Sequence, residues 1–297
     1  MGQCGVQLQP LVDALKAVML KSTVLHVDET PVAMRKPGNK KTQRACIWTC
    51  CATTYDALKA VVFDFADSRG GLHVRNLLGP DTNAGQDGWH GKLVCDDFSG
   101  YNACFELGVT EAGCLAHARR RFHELWINHG SPIGEQALKF FGEIYDIERE
   151  VQETEPNERR RLRQQRWAKV AEALHKWLGQ QRKQVLQGSA TAKAINDSLR
   201  RWKALTCFID DGDLPEDNNW VENQICLIAI GRSNWLFAGS LRAGQRAAAV
   251  MSLLQSARLN GLDPYANIKD VLTRLPTQPA GRLEELLPHR WQPAALR

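Results

Sequence analysis

The stretch Val24–Thr30, with the sequence VLHVDET, decides the predicted fold. An apolar, β-branched run ends here in two carboxylates, a pattern typical of a buried strand that brings an acid to the edge of a sheet. Two later stretches carry acids in similar contexts: Leu93–Asp97 ends another apolar run, and Asp217–Glu222 opens a helix. If the three stretches converge, they form a carboxylate cluster suited to metal-assisted phosphoryl chemistry.

Length and composition are those of a soluble globular protein. A chain of 297 residues can bury a large core, and its 43% hydrophobic and 24% charged residues argue against disorder. The formal charge of +5 says little about partners by itself. Arginine blocks at residues 119–121 and 159–163 are more informative, because such clusters favour contact with a polyanion.

The cysteines and the apolar runs predict a cytoplasmic protein. Most of the nine cysteines lie inside apolar runs, which fits buried free thiols better than a disulfide framework. No stretch approaches the roughly 18 apolar residues of a membrane span, and the N-terminus lacks the pattern of a signal peptide. We therefore expect no contact with a membrane.

Strand and helix signals predict a mixed α/β core. The first three strands can form an antiparallel meander, and a crossover connection would lay the fourth strand parallel to the first. This arrangement would place Asp28 and Asp96 at the carboxyl ends of neighbouring strands, where ligands of such sheets bind. The predicted elements are a leading helix over Leu8–Leu20, the strand of the opening stretch, a turn around Pro37–Asn39, strands over Ala45–Thr53, Ala60–Phe65, Lys92–Cys95 and Thr110–Leu115, and helices over Gly71–Leu78 and Ala116–Ile127.

The pattern changes from about residue 131 to 213, where strand signals vanish. Long amphipathic helices are predicted over Gly134–Val151, Glu158–Leu186 and Ala192–Ile209. Beyond them, Gly231–Ser240 is predicted to be a loop in which Trp235 is a buried anchor. A helix follows over residues 243–259, Asp263 and Pro264 begin another, and we expect a loosely ordered tail from Pro276.

Each predicted metal ligand has an acidic competitor nearby. Glu29 follows Asp28 and would point to the opposite face if the strand continued, and Asp97 follows Asp96 with the same ambiguity. Asp217 precedes Glu222 in a turn and is a better capping group. The alternative interpretation is that all of these acids are solvated turn residues.

Six motifs, in order along nearly the whole chain, resemble the DDE transposases of the insertion-sequence-66 family. The second acid in that family's pattern selects Asp96 over Asp97. The motifs are His26–Pro31 (HVDETP), Asp96–Tyr101 (DDFSGY), Cys114–Phe122 (CLAHARRRF), Asp217–Glu222 (DNNWVE), Gly231–Ser240 (GRSNWLFAGS) and Asn260–Tyr265 (NGLDPY).

The resemblance implies an RNase H-like fold of the retroviral-integrase type. Such a fold is a mixed sheet with helices on both faces, here interrupted by an all-helical insertion. The resemblance also implies that Asp28, Asp96 and Glu222 are the catalytic acids and hold two Mg²⁺ ions, for which Mn²⁺ can substitute. The corresponding parts are residues 1–22 as a leading helix, 23–130 as the first part of the core, 131–213 as the insertion, 214–260 as the second part with the glutamate helix, and 261–297 as a C-terminal helix and Pro-rich tail.

The sequence departs from the family at three points, one of which is Asn267, where an aromatic residue is more usual. Relatives usually begin with a long region that holds a coiled-coil-like segment and a small zinc-binding, DNA-reading module, and this chain has neither. It therefore resembles a truncated copy, a separately encoded catalytic half or a reading frame that starts too late. Ser233 also occupies a position that often carries a base.

Several basic residues are candidates for DNA binding. Arg119, Arg120 and Arg121 point in different directions on a helix, so at least one should meet solvent and a DNA phosphate. Arg232 and Asn234 follow the Glu222 helix closely enough to contact DNA at the rim of the site. A further basic run, residues 159–166, either contacts DNA or pairs with nearby glutamates.

Cys114 and His117 have the residue types and the spacing of half a zinc site. His123 and His129 are possible partners, but no second pair lies at a suitable spacing. We favour a structural role for both residues.

The sequence therefore predicts a Mg²⁺-dependent transposase that cleaves DNA at terminal inverted repeats and transfers the freed strand to target DNA. We expect a homo-oligomer on DNA, accessory proteins encoded by the same element, and a bacterial cytoplasmic location on the nucleoid. One alternative is an inactive DNA-binding relic that regulates an intact transposase. Another is a general RNase H-like nuclease without preference for the ends of an element.

Overall fold

The structure is a computed structural model that describes residues 2–36, 38, 41–79 and 88–293. Its first elements are α1 (Gly2–Met19), β1 (Val24–Arg35), β2 (Thr42–Ala52), β3 (Val61–Ala66), α2 (Gly71–Leu78), β4 (Lys92–Cys95), α3 (Asn102–Glu106) and β5 (Thr110–Gly113). They are followed by α4 (Leu115–His129), α5 (Pro132–Val151), α6 (Pro156–Leu162), α7 (Ala168–Arg182), α8 (Ala190–Arg200), α9 (Trp202–Thr206), α10 (Asn219–Trp235), α11 (Leu241–Leu259) and α12 (Pro264–Arg274).

Within the described residues, five strands form one mixed sheet in the order β3-β2-β1-β4-β5. Strand β1 pairs antiparallel with β2, and β2 pairs antiparallel with β3. The predicted α/β class and the antiparallel meander are therefore confirmed.

The chain divides into two compact units. Unit 1 contains the described residues of 1–93, 98–110 and 220–297, and unit 2 contains residues 94–97 and 111–219. Unit 1 holds β1, β2 and β3 with α1, α2, α10, α11 and α12, whereas unit 2 holds α4 to α9.

Strand β1 is longer than its sequence predicts. It continues past Asp28 to Arg35, whose partner on β2 is Thr42. A second segment pairs with the same end, since the Ala238 N–H donates to Ala33 O and the Arg35 N–H donates to Ala238 O, over 2.8 and 2.9 Å. Asp28 thus lies inside a strand, and the prediction that it ends one is wrong. The predicted turn lies partly outside the described residues, at Pro37 and Asn39.

Helix α11 covers β3, the first strand in the sheet order. The N–H groups of Val61 and Phe63 donate to the hydroxyls of Ser256 and Ser252, over 3.0 and 2.9 Å. The Ser256 hydroxyl in turn donates to Val61 O over 3.0 Å. Buried backbone groups of the strand are thereby paired with helix side chains, which protects an edge that could otherwise recruit another strand.

Unit 2 is helical, as the sequence predicts for residues 131–213, but the predicted helix over Glu158–Leu186 is interrupted. A π turn over Arg163–Trp167 separates α6 from α7. Arg163 is fully buried and donates to both carboxylate oxygens of Glu148, with the shortest contact at 2.7 Å. Its side chain also donates to the carbonyl oxygens of Phe208, Asp211 and Leu214. The basic run is therefore only partly a solvated surface.

The C-terminal residues are better ordered than their sequence suggests. Two 3₁₀ turns, Leu275–Thr277 and Ala280–Leu286, follow α12. Leu286 and Leu287 are buried, and the Trp291 indole donates to Asp270 Oδ2 over 2.7 Å. The expectation of a loose tail is wrong for the described residues up to 293, because these apolar side chains find a core.

All nine cysteines lie in the described part of the chain and are free thiols, as predicted. Burial raises the pKa of Cys50 to about 12, so this thiol is unreactive at neutral pH. No helix among the described residues has both the length and the apolar character needed to cross a bilayer.

Candidate active site

Asp28 projects from the middle of β1, where its Cα partner on β2 is Thr49. The Glu29 N–H donates to Asp28 Oδ1 over 2.8 Å, which fixes the orientation of the carboxylate. Since side chains alternate along a strand, Asp28 shares a face of the sheet with Val32 and Met34, and Glu29 belongs to the opposite face.

The Glu29 carboxylate has two bonding partners. It forms an ion pair with Arg69, and the Tyr101 hydroxyl donates to Glu29 Oε2 over 3.1 Å. The Arg69 guanidinium also lies 3.9 Å from the centre of the Phe98 ring. The Glu29 side chain is only 2% exposed, so it is a structural acid, as its position in the strand suggested.

Glu222 lies in the first turn of α10. The helix is fixed to the sheet because the indole N–H of Trp220 donates to Ala52 O over 2.9 Å. Val221 and Ile228 of α10 pack in one buried cluster with Val32 and Met34 of β1. Helix α10 therefore covers the face of unit 1 that carries Asp28.

Asp217 has the capping role that its sequence position suggests. The Asn219 N–H donates to Asp217 Oδ1 over 2.9 Å at the start of α10. The other carboxylate oxygen accepts a hydrogen bond of 2.9 Å from the Tyr145 hydroxyl. Burial raises the pKa of Tyr145 well above its usual range, so the phenol remains a donor at neutral pH.

Asp96 and Asp97 follow β4 and belong to unit 2. The Asp97 carboxylate forms an ion pair with Arg121, which also pairs with Asp197. The backbone carbonyl of Asp96 accepts a hydrogen bond of 3.0 Å from Arg201. The Asp97 carboxylate thus has a structural role.

Metal binding remains a prediction. In the described parts of the chain, no group of three or more His, Cys, Asp and Glu residues is arranged to hold a metal ion. The chemistry of the donor set nevertheless fits Mg²⁺, because Asp28, Asp96 and Glu222 offer carboxylate oxygens, of which Glu222 Oε1 is buried, and Mg²⁺ prefers oxygen ligands.

Cys114 and His117 lie at the start of α4. Cys114 is fully buried, and its Sγ accepts a hydrogen bond of 3.2 Å from the Asn218 N–H. This contact gives the thiol a structural role at the point where the chain approaches α10.

Two arginines of α4 remain candidates for phosphate contact. Arg119 and Arg120 are exposed and line a cleft of about 570 Å³ together with His123, Tyr145 and Arg149. Arg121 is the weaker candidate, because its guanidinium is shared between two carboxylates. In the basic run over residues 159–166, Arg161 pairs with Glu158 and Arg166 pairs with Glu150, so the pairing alternative holds for these two.

The C-terminal end of α10 corrects one prediction. The helix continues to Trp235, so the first half of the predicted loop is helical, and Trp235 is 41% exposed rather than buried. Arg232 and Asn234 are exposed, as DNA contacts need to be, and Arg232 Nη1 also donates to Pro31 O over 2.9 Å. The neighbouring exposed side chains of Ile230, Leu236 and Phe237 were not anticipated, because apolar residues in a motif usually indicate a core.

Comparison with known proteins assigns most of the chain to one family. The model described as Transposase IS66 family matches residues 1–246, and the model described as IS66 C-terminal element matches residues 252–289. Two uncharacterized proteins of Sinorhizobium fredii, y4hP and y4jD, are 31% and 32% identical to this chain over 99% and 96% of its length. The alignments cover 55% and 57% of these proteins, so the chain spans about half the length of the curated relatives that it matches. No solved structure is significantly similar to it.

Proposed function

The chain belongs to the IS66 transposase family, and we propose that it carries the catalytic part of an enzyme that cuts and joins DNA at the ends of an insertion sequence. The observation that carries the proposal is the position of Glu222. It lies in the first turn of the helix that packs on the Asp28 face of unit 1.

We propose that the sheet is of the RNase H-like type. The support is its strand order, in which three antiparallel strands precede two that extend the sheet on the other side of β1. Fold alone does not establish activity, so the functional argument depends on the acids.

We propose that Asp28, Asp96 and Glu222 hold two Mg²⁺ ions, with Mn²⁺ as a substitute. When bound, such ions activate the attacking oxygen and stabilise charge on the leaving oxygen of a phosphoryl displacement. The support is that these three acids lie within the residues that the family model matches, and that the neighbouring acids have structural roles. Glu29 pairs with Arg69, Asp97 pairs with Arg121, and Asp217 caps α10.

The remaining groups bind and orient DNA. Arg119, Arg120, Arg232 and Asn234 are exposed, and the arginines among them can neutralise phosphates while Asn234 donates or accepts hydrogen bonds. Water serves as the nucleophile for cleavage, and the freed 3′-hydroxyl serves for strand transfer. Since both steps are displacements at phosphorus, no covalent protein intermediate is needed.

The test is nicking and strand transfer on DNA that contains the ends of the element, with Mg²⁺ or Mn²⁺. We expect Glu222→Gln to abolish both reactions while DNA affinity is unchanged or higher, because the substitution removes one negative charge. Glu172→Gln, an exposed change on α7, is the matched control and should retain activity. Undiminished strand transfer by Glu222→Gln would reject the proposal.

Two other outcomes distinguish the alternatives. Salt-dependent DNA binding without nicking, also in a chain extended to the length of the relatives, indicates a non-catalytic relic or regulator. Nicking that ignores the element's ends indicates a general nuclease. The predicted oligomer and accessory proteins can be assessed with the same preparations.

A further inference from the structure

Four large apolar side chains are exposed at the end of α10 and just beyond it. We call Ile230, Trp235, Leu236 and Phe237 the apolar tip. Their exposures are 69%, 41%, 69% and 39%. Single exposed apolar residues are common on protein surfaces, but four within eight positions form a patch of the kind that marks a binding surface.

The backbone of the apolar tip is strained but well held. Leu236 has φ of 59°, and the Phe237 N–H donates to Trp235 O over 2.6 Å. This i→i+2 hydrogen bond around a residue with positive φ is characteristic of a γ-turn, which is rare and costs free energy for a leucine. The next residue, Ala238, is fixed by backbone hydrogen bonds with Ala33 and Arg35 of β1. The strain presents three consecutive apolar side chains to solvent.

The indole of Trp235 has a defined position over its own helix. A Cβ built at Gly231, four residues earlier, would lie 3.1 Å from Trp235 Nε1. The absence of a side chain at Gly231 therefore lets the ring lie against the helix, and the Trp235 side chain remains 41% exposed. A ring held in this way loses little entropy when a flat partner stacks on it.

The surroundings of the apolar tip are basic. Between Asn223 and Leu262 the sequence has four arginines and no acid, and the described residues between Pro31 and Tyr55 include four lysines and arginines and no acid. Residue Ala238 joins the two segments through its pairing with β1. The guanidinium of Arg35 lies 5.6 Å from the centre of the Phe237 ring, and Arg232 is exposed on the last turns of α10. An apolar protein partner would bury these cations without compensation, whereas a polyanion would pair with them.

We propose that the apolar tip binds unpaired nucleotides of a DNA strand, with bases stacked on Trp235 and Phe237 and phosphates paired with Arg35 and Arg232. Exposed aromatic rings beside cations are the usual means of binding single-stranded nucleic acid, because every base offers a flat face once it leaves the duplex stack. Paired bases keep their faces covered, so intact duplex should not use the tip. The inference rests on the proposed function only in taking DNA as the substrate.

The test is the affinity for a fluorescent oligothymidylate and for a blunt duplex, measured by anisotropy in EDTA so that no catalysis intervenes. We expect Trp235→Ala to weaken oligothymidylate binding about tenfold and to leave duplex binding unchanged. Trp235→Phe should retain most of the affinity, since it keeps an aromatic face. Trp126→Ala on α4 is the matched control, because Trp126 is also 41% exposed. Arg232→Gln should lower the slope of log affinity against log salt by about 0.7.

Three results would overturn the inference. They are unchanged oligothymidylate affinity in Trp235→Ala, an equal loss on the duplex, and an equal loss in Trp126→Ala. A fourth overturning result comes from sedimentation. If the wild-type chain is a dimer, and Trp235→Ala makes it a monomer without changing DNA affinity, the apolar tip is a contact between copies of the chain. If the wild-type chain never nicks DNA but Trp235→Ala loses only single-strand binding, the inference stands and the catalytic proposal fails.

Discussion

The Tyr101 hydroxyl donates a hydrogen bond of 3.1 Å to Glu29 Oε2, directly next to the proposed catalytic Asp28 in sequence. Two adjacent carboxylates of β1 therefore have different environments. Glu29 is buried in an ion pair with Arg69, whereas Asp28 lies on the face of the sheet that α10 covers.

We expect Glu29→Gln to lower stability and Asp28→Asn to abolish activity. Glu29→Gln should lower the free energy of unfolding by about 1–3 kcal/mol, because the charged partner of Arg69 and Tyr101 is lost. Asp28→Asn should abolish nicking while the unfolding midpoint in urea stays close to that of the wild type. A Glu29→Gln protein that is as stable as the wild type but does not nick DNA would show that Glu29, and not only Asp28, is needed for catalysis.

The contact between α11 and β3 depends on a glycine. A Cβ at Gly244 would overlap the ring of Phe65, while nothing lies within 4 Å of a Cβ at Gly142 on α5. Gly244→Ala should therefore destabilise the protein by about 1–3 kcal/mol through overpacking. Gly142→Ala should stabilise it by about 0.5–1 kcal/mol, because alanine favours the helix. Urea unfolding of the two variants measures both changes in the free energy of unfolding. Equal changes would show that α11 packs on β3 less tightly than described.

Arg163 is expected to be the most sensitive position of unit 2. Arg163→Leu leaves the buried carboxylate of Glu148 without its cation, and removal of one partner of such a pair costs about 3–5 kcal/mol. Arg161→Leu, which breaks an exposed pair with Glu158, is the control and should have no measurable effect. Thermal unfolding followed by circular dichroism measures the difference, and similar melting temperatures for the two variants would contradict the buried network.

Glu216 gives unit 2 a pH dependence. Burial, with smaller contributions from Asp217 and Glu148, raises the pKa of this carboxyl from 4.5 to about 7. The folded state therefore binds the proton more tightly than the unfolded state, so stability falls as pH rises from about 4.5 to 7. The loss is about 3 kcal/mol when complete, at 1.36 kcal/mol per pKa unit.

Glu216→Gln should remove this component, because a neutral amide mimics the protonated acid. The variant should be more stable than the wild type above pH 7 and equally stable near pH 4, as measured by urea unfolding at each pH. An unchanged pH profile in Glu216→Gln would locate the titrating group elsewhere.

Several local features could be predicted because they depend on neighbouring residues alone. Helix α12 begins at Pro264, and its N-cap Asp263 accepts from the N–H groups of Tyr265 and Ala266, as the Asp-Pro sequence indicates. Asp217 accepts from the Asn219 N–H at the start of α10, as its position in the turn before this helix indicates. Alternation along β1 also assigned Asp28 and Glu29 to opposite faces.

Other features were predicted wrongly because the residues that cause them lie far away in the sequence. Strand β1 extends beyond its apolar stretch to Arg35 because Ala238 forms backbone hydrogen bonds with Ala33 and Arg35. The helix predicted over residues 158–186 is interrupted at Arg163, whose partners Glu148 and Phe208 lie in other elements. Trp235 is exposed although its apolar neighbours suggested a core.

The sequence by itself determined the family, the order of strands and helices and the acids that are candidates for catalysis, because these depend on residue identity and on hydrophobic periodicity. Only the tertiary structure decided the partners of Glu29, Asp97 and Asp217, where β1 ends and which aromatic residues reach solvent. Burial and pairing are created by contacts between distant segments. A carboxylate such as Glu29 looks like its neighbour Asp28 until Arg69 and Tyr101 are placed beside it.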